Sequence, residues 1–236
     1  MSTRSLAHTP AFADRYEAGR LLAYQMRHLS DEAPIVLALP RGGVPLGYEV
    51  ARGLTAPLDL LLVRKIPAPG RPELTVGVVG EGGAVRIDEA VVREHHIRWG
   101  DLDEVILHEQ EEIERQAWKY YRGRPRIGVK DRVVVLVDDG VGTGRTATFA
   151  IEGLRRDSPK KVVLGVGVVA PEAYPGLLRI TDGVYSPLVP GLFHSIGEWY
   201  REFEPIGELE IERLLQEIHH LHDADALPVP QRARVA

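Results

Sequence analysis

Two adjacent carboxylates and a glycine-rich loop are the residues of this chain whose types and spacing indicate chemistry. Asp138 and Asp139 end an apolar run and are followed by Gly140, Gly142 and Gly144. Glycines at the start of a helix let backbone N–H groups surround a phosphate, and the helix dipole favours its negative charge. Two acids beside a phosphate would repel it unless they bind sugar hydroxyls or a bridging Mg²⁺. The pattern therefore predicts a site for a sugar phosphate and Mg²⁺.

The loop differs from two common phosphate-binding loops. It lacks the Lys-Ser/Thr ending of a Walker loop, and its glycine spacing does not match the dinucleotide-binding fingerprint. An ordinary strand-to-helix turn with acidic capping residues is the alternative interpretation. The loop comprises Gly140, Val141, Gly142, Thr143, Gly144, Arg145 and Thr146.

Five apolar runs of strand length are separated by segments of helical periodicity. Continuous apolar runs are typical of strands buried on both faces, and their alternation with helices is typical of a parallel sheet. We therefore predict a Rossmann-like α/β fold, with a mostly parallel five-stranded sheet flanked by helices. The acids and the loop would lie at the carboxyl edge of this sheet, where ligands bind. The predicted strands cover residues 35–39, 58–63, 133–137, 162–169 and 183–187, and the first two helices cover residues 12–29 and 44–54.

The order of apolar strand, two acids and threonine- and glycine-containing loop resembles the ribosyl-diphosphate motif of the type I phosphoribosyltransferases. The stretches PRGGVPLG, LLVRKIPAPGRPEL and VDDGVGTG are similar to bacterial members of that family that have no assigned function. The resemblance covers residues 12–217 and implies one domain there. Residues 1–11 and 223–236 are predicted to be flexible tails. The resemblance also implies Mg²⁺-dependent transfer of a phosphoribosyl group from phosphoribosyl diphosphate to a nitrogen acceptor, with release of diphosphate.

The resemblance gives the two acids and the loop separate roles. Asp138 and Asp139 would hold the ribose hydroxyls, bind Mg²⁺ and offset positive charge as the anomeric carbon becomes oxocarbenium-like. Residues 140–146 would hold the 5′-phosphate.

Basic residues after the first two strands would bind the diphosphate. Arg41, Gly42 and Gly43 resemble the short diphosphate-binding loop of the family, although Pro-Arg-Gly-Gly is also a good turn. Arg64 and Lys65 stand where the family often has a basic residue, and Lys65 is predicted to be catalytic together with the two acids. A solvated strand end is the alternative for this pair.

A long insertion, residues 66–131, lies where family members carry a mobile loop that closes over the reaction. The prolines of residues 66–72 predict irregular structure, and residues 75–79 and 84–87 predict a hairpin. Residues 88–123 have helical periodicity. We expect the insertion to act as a hood over the site, and its helices are a candidate homodimer surface.

The acceptor half of the site is less specific than the sugar-phosphate half. An aromatic segment after the fifth strand makes Phe193, His194, Trp199 and Tyr200 candidates for stacking on an acceptor, with core packing as the alternative. Hypoxanthine-type relatives have an acid in the phosphate loop where Gly142 stands here. The sequence therefore does not identify the acceptor. The candidates for a general acid or base are Glu198 and Glu202.

Composition limits the function classes. The 236 residues contain no cysteine, which excludes disulfides and thiolate chemistry. A net charge of −5 provides no basic surface for nucleic acid. No run approaches the roughly 20 apolar residues that span a bilayer, and the N-terminus does not resemble a signal peptide. We expect a cytoplasmic protein that acts on small molecules, without nucleic-acid or membrane partners.

Two other functions share the motif. A regulatory protein of the resembled family would bind phosphoribosyl diphosphate as a sensor without converting it. A phosphohydrolase would use Asp138 as its nucleophile, but such enzymes have a second acid at Asp-x-Asp spacing, where this chain has Gly140.

Overall fold

The computed structural model describes residues 10–122 and 125–225. Its strands are β1 (Ile35–Ala38), β2 (Leu58–Leu60), β3 (Val63–Ala68), β4 (Arg71–Gly80), β5 (Val85–Ile87), β6 (Val133–Val141), β7 (Lys161–Val169) and β8 (Gly183–Tyr185). Its α-helices are α1 (Arg15–Met26), α2 (Gly43–Leu54), α3 (Glu89–Glu94), α4 (Leu102–Tyr121), α5 (Arg145–Arg156), α6 (Tyr174–Ile180) and α7 (Glu208–Asp225). No helix in this part of the chain is both long and apolar enough to cross a membrane.

The main sheet has five strands in the order β2-β1-β6-β7-β8, and all of its pairings are parallel. The predicted α/β fold is therefore confirmed. Val135 and Val137 of β6 pack in a cluster with α1, α2 and α7, whereas Val134 and Leu136 pack in a cluster with α5 and α6. Successive side chains of a strand point to opposite faces, so helices on both sides require a run without polar residues.

Strand β6 continues beyond its predicted end at residue 137 and includes both acids. Its parallel pairing with β7 places Asp138 opposite Val166 and Val141 opposite Val169. Acidic residues and glycine are depleted in strands, which is why the sequence predicts a loop here. The acids are instead held by the sheet itself, and the irregular turn is limited to residues 142–144.

The insertion contains a second sheet, of order β3-β4-β5, and corrects two predictions. Strand β3 runs through Pro67, so residues 66–72 are not irregular as predicted. A proline is tolerated because β3 is an edge strand, and the β3–β4 register is irregular at Pro67. The strand predicted over residues 58–63 ends at Leu60. Arg64 and Lys65 therefore lie in the second sheet and do not follow a strand of the main sheet.

The rest of the insertion agrees with the sequence prediction, except that one predicted helix is divided into two. Strands β4 and β5 form the predicted hairpin. The helix predicted over residues 88–123 is divided into α3 and α4, because His96 has a φ of +53° and residues Trp99–Asp101 form a 3₁₀ turn. Helical periodicity of the side chains does not reveal such a break.

Both predicted tails lie mostly outside the described residues. At the C-terminus, α7 continues to Asp225, beyond the predicted domain end at residue 217. At the N-terminus, the backbone N–H groups of Ala11 and Phe12 donate to the Trp199 carbonyl, both at 3.0 Å. The helix predicted over residues 12–29 is α1 followed by a 3₁₀ turn at Arg27–Glu32.

Gly43, the first residue of α2, allows the helix to approach β6 closely. A Cβ atom at this position would lie 2.5 Å from the Val137 carbonyl oxygen. We expect Gly43→Ala to lower the free energy of unfolding by about 1–3 kcal/mol, measured by urea denaturation. Gly153→Ala in α5 is the control, because Gly153 has open space around it and alanine should stabilise the helix by about 0.5–1 kcal/mol. Equal effects of the two changes would contradict this account.

Candidate active site

A cleft of about 880 Å³ lies at the carboxyl edge of the main sheet and is bordered by β3, β4 and α4 of the insertion. It brings together predicted site residues from four separate parts of the sequence. Gly43 does not line the cleft and packs against β6. The predicted residues that line it are Arg41, Gly42, Arg64, Lys65, Asp138, Asp139, Gly140, Val141, Gly142, Thr143, Gly144, Arg145, Thr146, Phe193 and His194.

The turn between β6 and α5 has the geometry of a phosphate-binding loop. Gly144 has a φ of +79° and is the N-cap of α5, with no side-chain cap on the helix. The first N–H groups of a helix have no intrahelical partners and carry the positive end of its dipole. Thr143 and Thr146 add hydroxyls to the same surface. Arg145 is less available, because its guanidinium contacts Asp88 at 3.2 Å.

The two acids have different surroundings, because neighbouring side chains on a strand point to opposite faces. Asp139 is buried, and the Arg15 Nε donates to its Oδ2 at 2.8 Å. The Tyr200 hydroxyl donates to the Asp139 backbone carbonyl at 2.6 Å. Asp138 is only partly buried and forms no ion pair among the described residues; its Oδ1 accepts the Asp139 N–H at 2.9 Å. Asp138 is therefore the acid available to a ligand.

Arg15 is the main residue of the site that the sequence analysis missed. Its Nη1 donates to the Glu204 carbonyl at 2.9 Å, and its guanidinium lies 3.8 Å from the centre of the Phe203 ring. A signal was present in the sequence, since Arg15, Ala18 and Leu22 share one face of α1 and that face is buried. A buried arginine requires an acid or carbonyl partner.

Burial raises the pKa of both carboxyl groups. Burial raises the pKa of Asp138 well above its ordinary value, and the Asp139 charge raises it further, while Lys65 opposes the shift. Burial also raises the pKa of Asp139, but the Arg15 guanidinium opposes this with a hydrogen bond and its charge. The ionised form of Asp138 is therefore destabilised by burial and by the neighbouring charge. For Asp139, the Arg15 guanidinium compensates the cost of burying the charge.

The cations in the cleft differ in availability. The Arg41 Nη2 lies 3.4 Å from Glu208, and the Arg64 Nε lies 2.5 Å from the buried Glu109. Lys65 is exposed and has no ion pair in the described part of the chain. Lys65 is therefore the cation that a ligand can engage without breaking a contact.

The segment that carries Arg41 lies directly against one of the acids. A Cβ atom at Gly42 would collide with the Asp139 carboxylate, so glycine is required for this close approach. The peptide bond between Pro40 and Arg41 is cis. The contact between Gly42 and Asp139 places this loop at the border of the cleft, beside the acid pair.

The aromatic segment is divided between the cleft and the core. Phe193 and His194 line the cleft, as predicted. Trp199 and Tyr200 are buried in the core, so the packing alternative is correct for these two. The acids predicted for proton transfer, Glu198 and Glu202, do not line the cleft, whereas two residues that the sequence analysis missed, Glu73 and Gln116, do.

The oxygen ligands available in the cleft fit a metal ion that binds together with a substrate. Among the described residues no group of three or more His, Cys, Asp or Glu side chains could hold a metal ion. Asp139 is bound by Arg15, which leaves the Asp138 carboxylate as the strongest oxygen donor. Mg²⁺ is commonly held by one or two carboxylates together with substrate phosphates and water. The residues present fit that mode.

A parallel sheet with a phosphate-type loop and acids at its carboxyl edge defines the class of α/β proteins that bind ligands at this edge. Within that class, residues 2–175 match the family model described as the phosphoribosyl transferase domain. The chain therefore belongs to the phosphoribosyltransferase family, as the resemblance predicted.

Relatives support this assignment. Two Mycobacterium tuberculosis proteins, from strains CDC 1551 / Oshkosh and H37Rv, are provisionally named phosphoribosyl transferases and are each 40% identical over 208 residues. These matches cover 88% of this chain and 47% of each relative, so the chain spans about half the length of the relatives. The crystal structure of TT1426 from Thermus thermophilus is 39% identical, with a TM-score of 0.73, and the match covers 87% of this chain and 98% of that chain.

The environments of the two acids predict opposite effects on stability. Ionisation of an acid whose folded pKa is raised favours the unfolded state, so stability falls as pH rises through that range. Asp138→Asn removes this loss, and we expect the free energy of unfolding to rise by about 1 kcal/mol at pH 8, with a smaller gain at lower pH. Asp139→Asn leaves Arg15 buried without its partner, and we expect a loss of about 3 kcal/mol.

Urea denaturation of both variants at several pH values, without added ligand, measures these effects. The two isosteric changes serve as controls for each other, because the residues are adjacent on one strand. A larger loss of stability in Asp138→Asn than in Asp139→Asn would contradict the assignment of the two environments.

Proposed function

We propose that the chain catalyses transfer of a phosphoribosyl group from phosphoribosyl diphosphate to a nitrogen acceptor. The nitrogen attacks the anomeric carbon, the C–N bond forms, the C–O bond to diphosphate breaks, and the nitrogen loses a proton. One observation carries the proposal: a single cleft joins an acid pair and a phosphate-type loop to three cations from other segments. Phosphoribosyl diphosphate has ribose hydroxyls between a 5′-phosphate and a diphosphate. The acids would face the hydroxyls, the loop the 5′-phosphate, and the cations the diphosphate.

In this proposal the two acids have different roles. Asp138, which has the available carboxylate, accepts hydrogen bonds from the ribose hydroxyls and binds Mg²⁺. Asp139, fixed by Arg15, supplies a preorganised negative charge that offsets the positive charge developing at the anomeric carbon. Mg²⁺, when bound, would neutralise charge on the diphosphate. The N-terminal turn of α5 holds the 5′-phosphate through backbone N–H groups and threonine hydroxyls.

The insertion provides the remaining parts of the proposed site. Its strands β3 and β4 contribute Arg64, Lys65 and Glu73 to the cleft, and α4 packs against both strands. A cover that limits access of water would protect the activated sugar from hydrolysis. Glu73 and His194 are candidates to accept the acceptor's proton, since both line the cleft. We propose that residues 12–217 form one domain with this insertion as its hood.

The direct test combines binding with turnover. Calorimetric titration with phosphoribosyl diphosphate and Mg²⁺ would measure binding, and a panel of bases and amines would be screened for diphosphate release. Release with one acceptor supports the transferase. Tight binding without release on any acceptor supports the sensing function. Absence of binding would refute both.

Lys65→Met tests the role of the available cation. The side chain is exposed and has no ion pair in the described part of the chain, so the change should leave the melting temperature nearly unaltered. We expect kcat for diphosphate release to fall by about 10- to 100-fold, because the leaving group loses a charge-assisted contact worth roughly 1.5–3 kcal/mol. Lys130→Met is the control, since Lys130 is exposed and does not line the cleft. Equal rates for the two variants would count against a catalytic Lys65.

Glu208→Gln tests whether Arg41 is held back by its acid partner. Neutralising Glu208 frees Arg41, and we expect inorganic diphosphate to bind about 2- to 5-fold more tightly, because an exposed ion pair contributes roughly 0.2–1 kcal/mol. Glu212→Gln is a matched control one turn further along α7, since Glu212 contacts Lys119 and Arg122 but not Arg41. Calorimetric titration measures the difference, and equal changes in both variants would contradict competition for Arg41.

A further inference from the structure

The inner face of α4 carries a row of buried polar side chains that the proposed reaction has not used. Glu109, Gln116 and Tyr120 are spaced seven and four residues apart, so they share one face of the helix. Glu109 is occupied by Arg64. Gln116 is only 8% exposed, lines the cleft, and has no hydrogen-bond partner within residues 10–122 and 125–225.

The position of Gln116 along α4 relates it to both arginines of the cleft. Seven residues before it, Glu109 contacts Arg64. Three residues after it, Lys119 contacts the same carboxylate that holds Arg41. An α-helix rises 1.5 Å per residue, so these contacts lie about 10 Å and about 5 Å away from Gln116 along the axis. Gln116 is therefore flanked on α4 by Glu109, which contacts Arg64, and by Lys119, which shares the Glu208 carboxylate with Arg41.

The chemistry of a carboxamide limits what can bind there. Gln116 lines the cleft, and its amide is not among the fully buried side-chain groups that lack a partner, so the amide can be reached by a ligand there. Its NH₂ group offers two donors without adding charge. Phosphate oxygens near neutral pH are acceptors, and a glutamate at the same position would repel them. A donor in the cleft that also contains Arg41 and Arg64 is thus complementary to a diphosphate leaving group.

We infer that Gln116 donates its side-chain N–H groups to the diphosphate of phosphoribosyl diphosphate, and that α4 thereby takes part in recognising the leaving group. This inference rests on the proposed function. It assigns a ligand-binding role to the insertion helix in addition to covering the site.

Two probes separate this role from a structural one: Mg²⁺ with inorganic diphosphate, and ribose 5-phosphate, which lacks the diphosphate. In Gln116→Leu we expect the affinity for diphosphate to fall by about 10- to 100-fold, as for a hydrogen bond to a charged group. The affinity for ribose 5-phosphate should stay within about 2-fold, since the acid pair and the phosphate loop are unchanged. In Gln116→Glu, repulsion should weaken diphosphate binding further.

Gln110→Leu is the matched control. Gln110 lies on the same helix, outside the cleft, and its Nε2 donates to the Gly83 carbonyl at 3.4 Å. This variant should bind both probes as the unchanged protein does. Retained affinity for ribose 5-phosphate reports that each variant is folded, and if Gln116→Leu does not fold, the Gln116→Glu variant decides the question.

The possible results lead to different conclusions. Unchanged affinity for diphosphate in both Gln116 variants would overturn the inference. An equal loss for both probes would overturn it as well, because the role would then be structural. Altered use of acceptors with unchanged diphosphate binding would assign Gln116 to the acceptor instead. If the unchanged protein binds neither probe, the proposed function itself fails.

Discussion

Strand β6 carries two adjacent carboxylates into a region where ionised groups lose most of their hydration. The guanidinium of Arg15 contacts Asp139 at 2.8 Å, whereas Asp138 forms no ion pair among the described residues. This asymmetry is the constraint on which the rest of the site depends. Asp139 is a fixed charge inside the protein. Asp138 is a carboxyl group whose pKa is raised by burial and by the Asp139 charge, and a bound cation would lower that pKa. The acids are neighbours in sequence but serve different purposes.

Keeping that ion pair in place involves much of the molecule. The Arg15 guanidinium stacks on Phe203, whose ring in turn stacks on Tyr200, and the Tyr200 hydroxyl donates to the Asp139 carbonyl. Gly42 lies against the same carboxylate, where any side chain would collide. The loop after β1, helix α1 and the segment before α7 therefore meet at one buried pair, and the loop after β1 also lines the cleft.

The sequence was informative where one local pattern determines the structure. Continuous apolar runs predicted the parallel sheet, and the acids followed by glycines predicted the strand-to-helix turn at its edge. It was uninformative where distant segments meet. The pairing of Arg15 with Asp139 spans 124 residues, and no periodicity records it. Pro67 was misread because propensity does not reveal that β3 is an edge strand. Trp199 and Tyr200 could be placed only once their burial was known.

The contacts of Arg15 also bear on the order in which parts of the site form during folding. Its second partner, the Glu204 carbonyl, is 189 residues away, and the Phe12–Tyr200 bridge joins the same two ends of the described chain. Contacts between segments far apart in sequence form late, because closing a long loop costs entropy before the contact stabilises it. During synthesis, the main sheet can pair β1, β6 and β7 before residue 204 has left the ribosome. The Arg15 side chain therefore gains its full set of contacts only after residues 203 and 204 have packed against it.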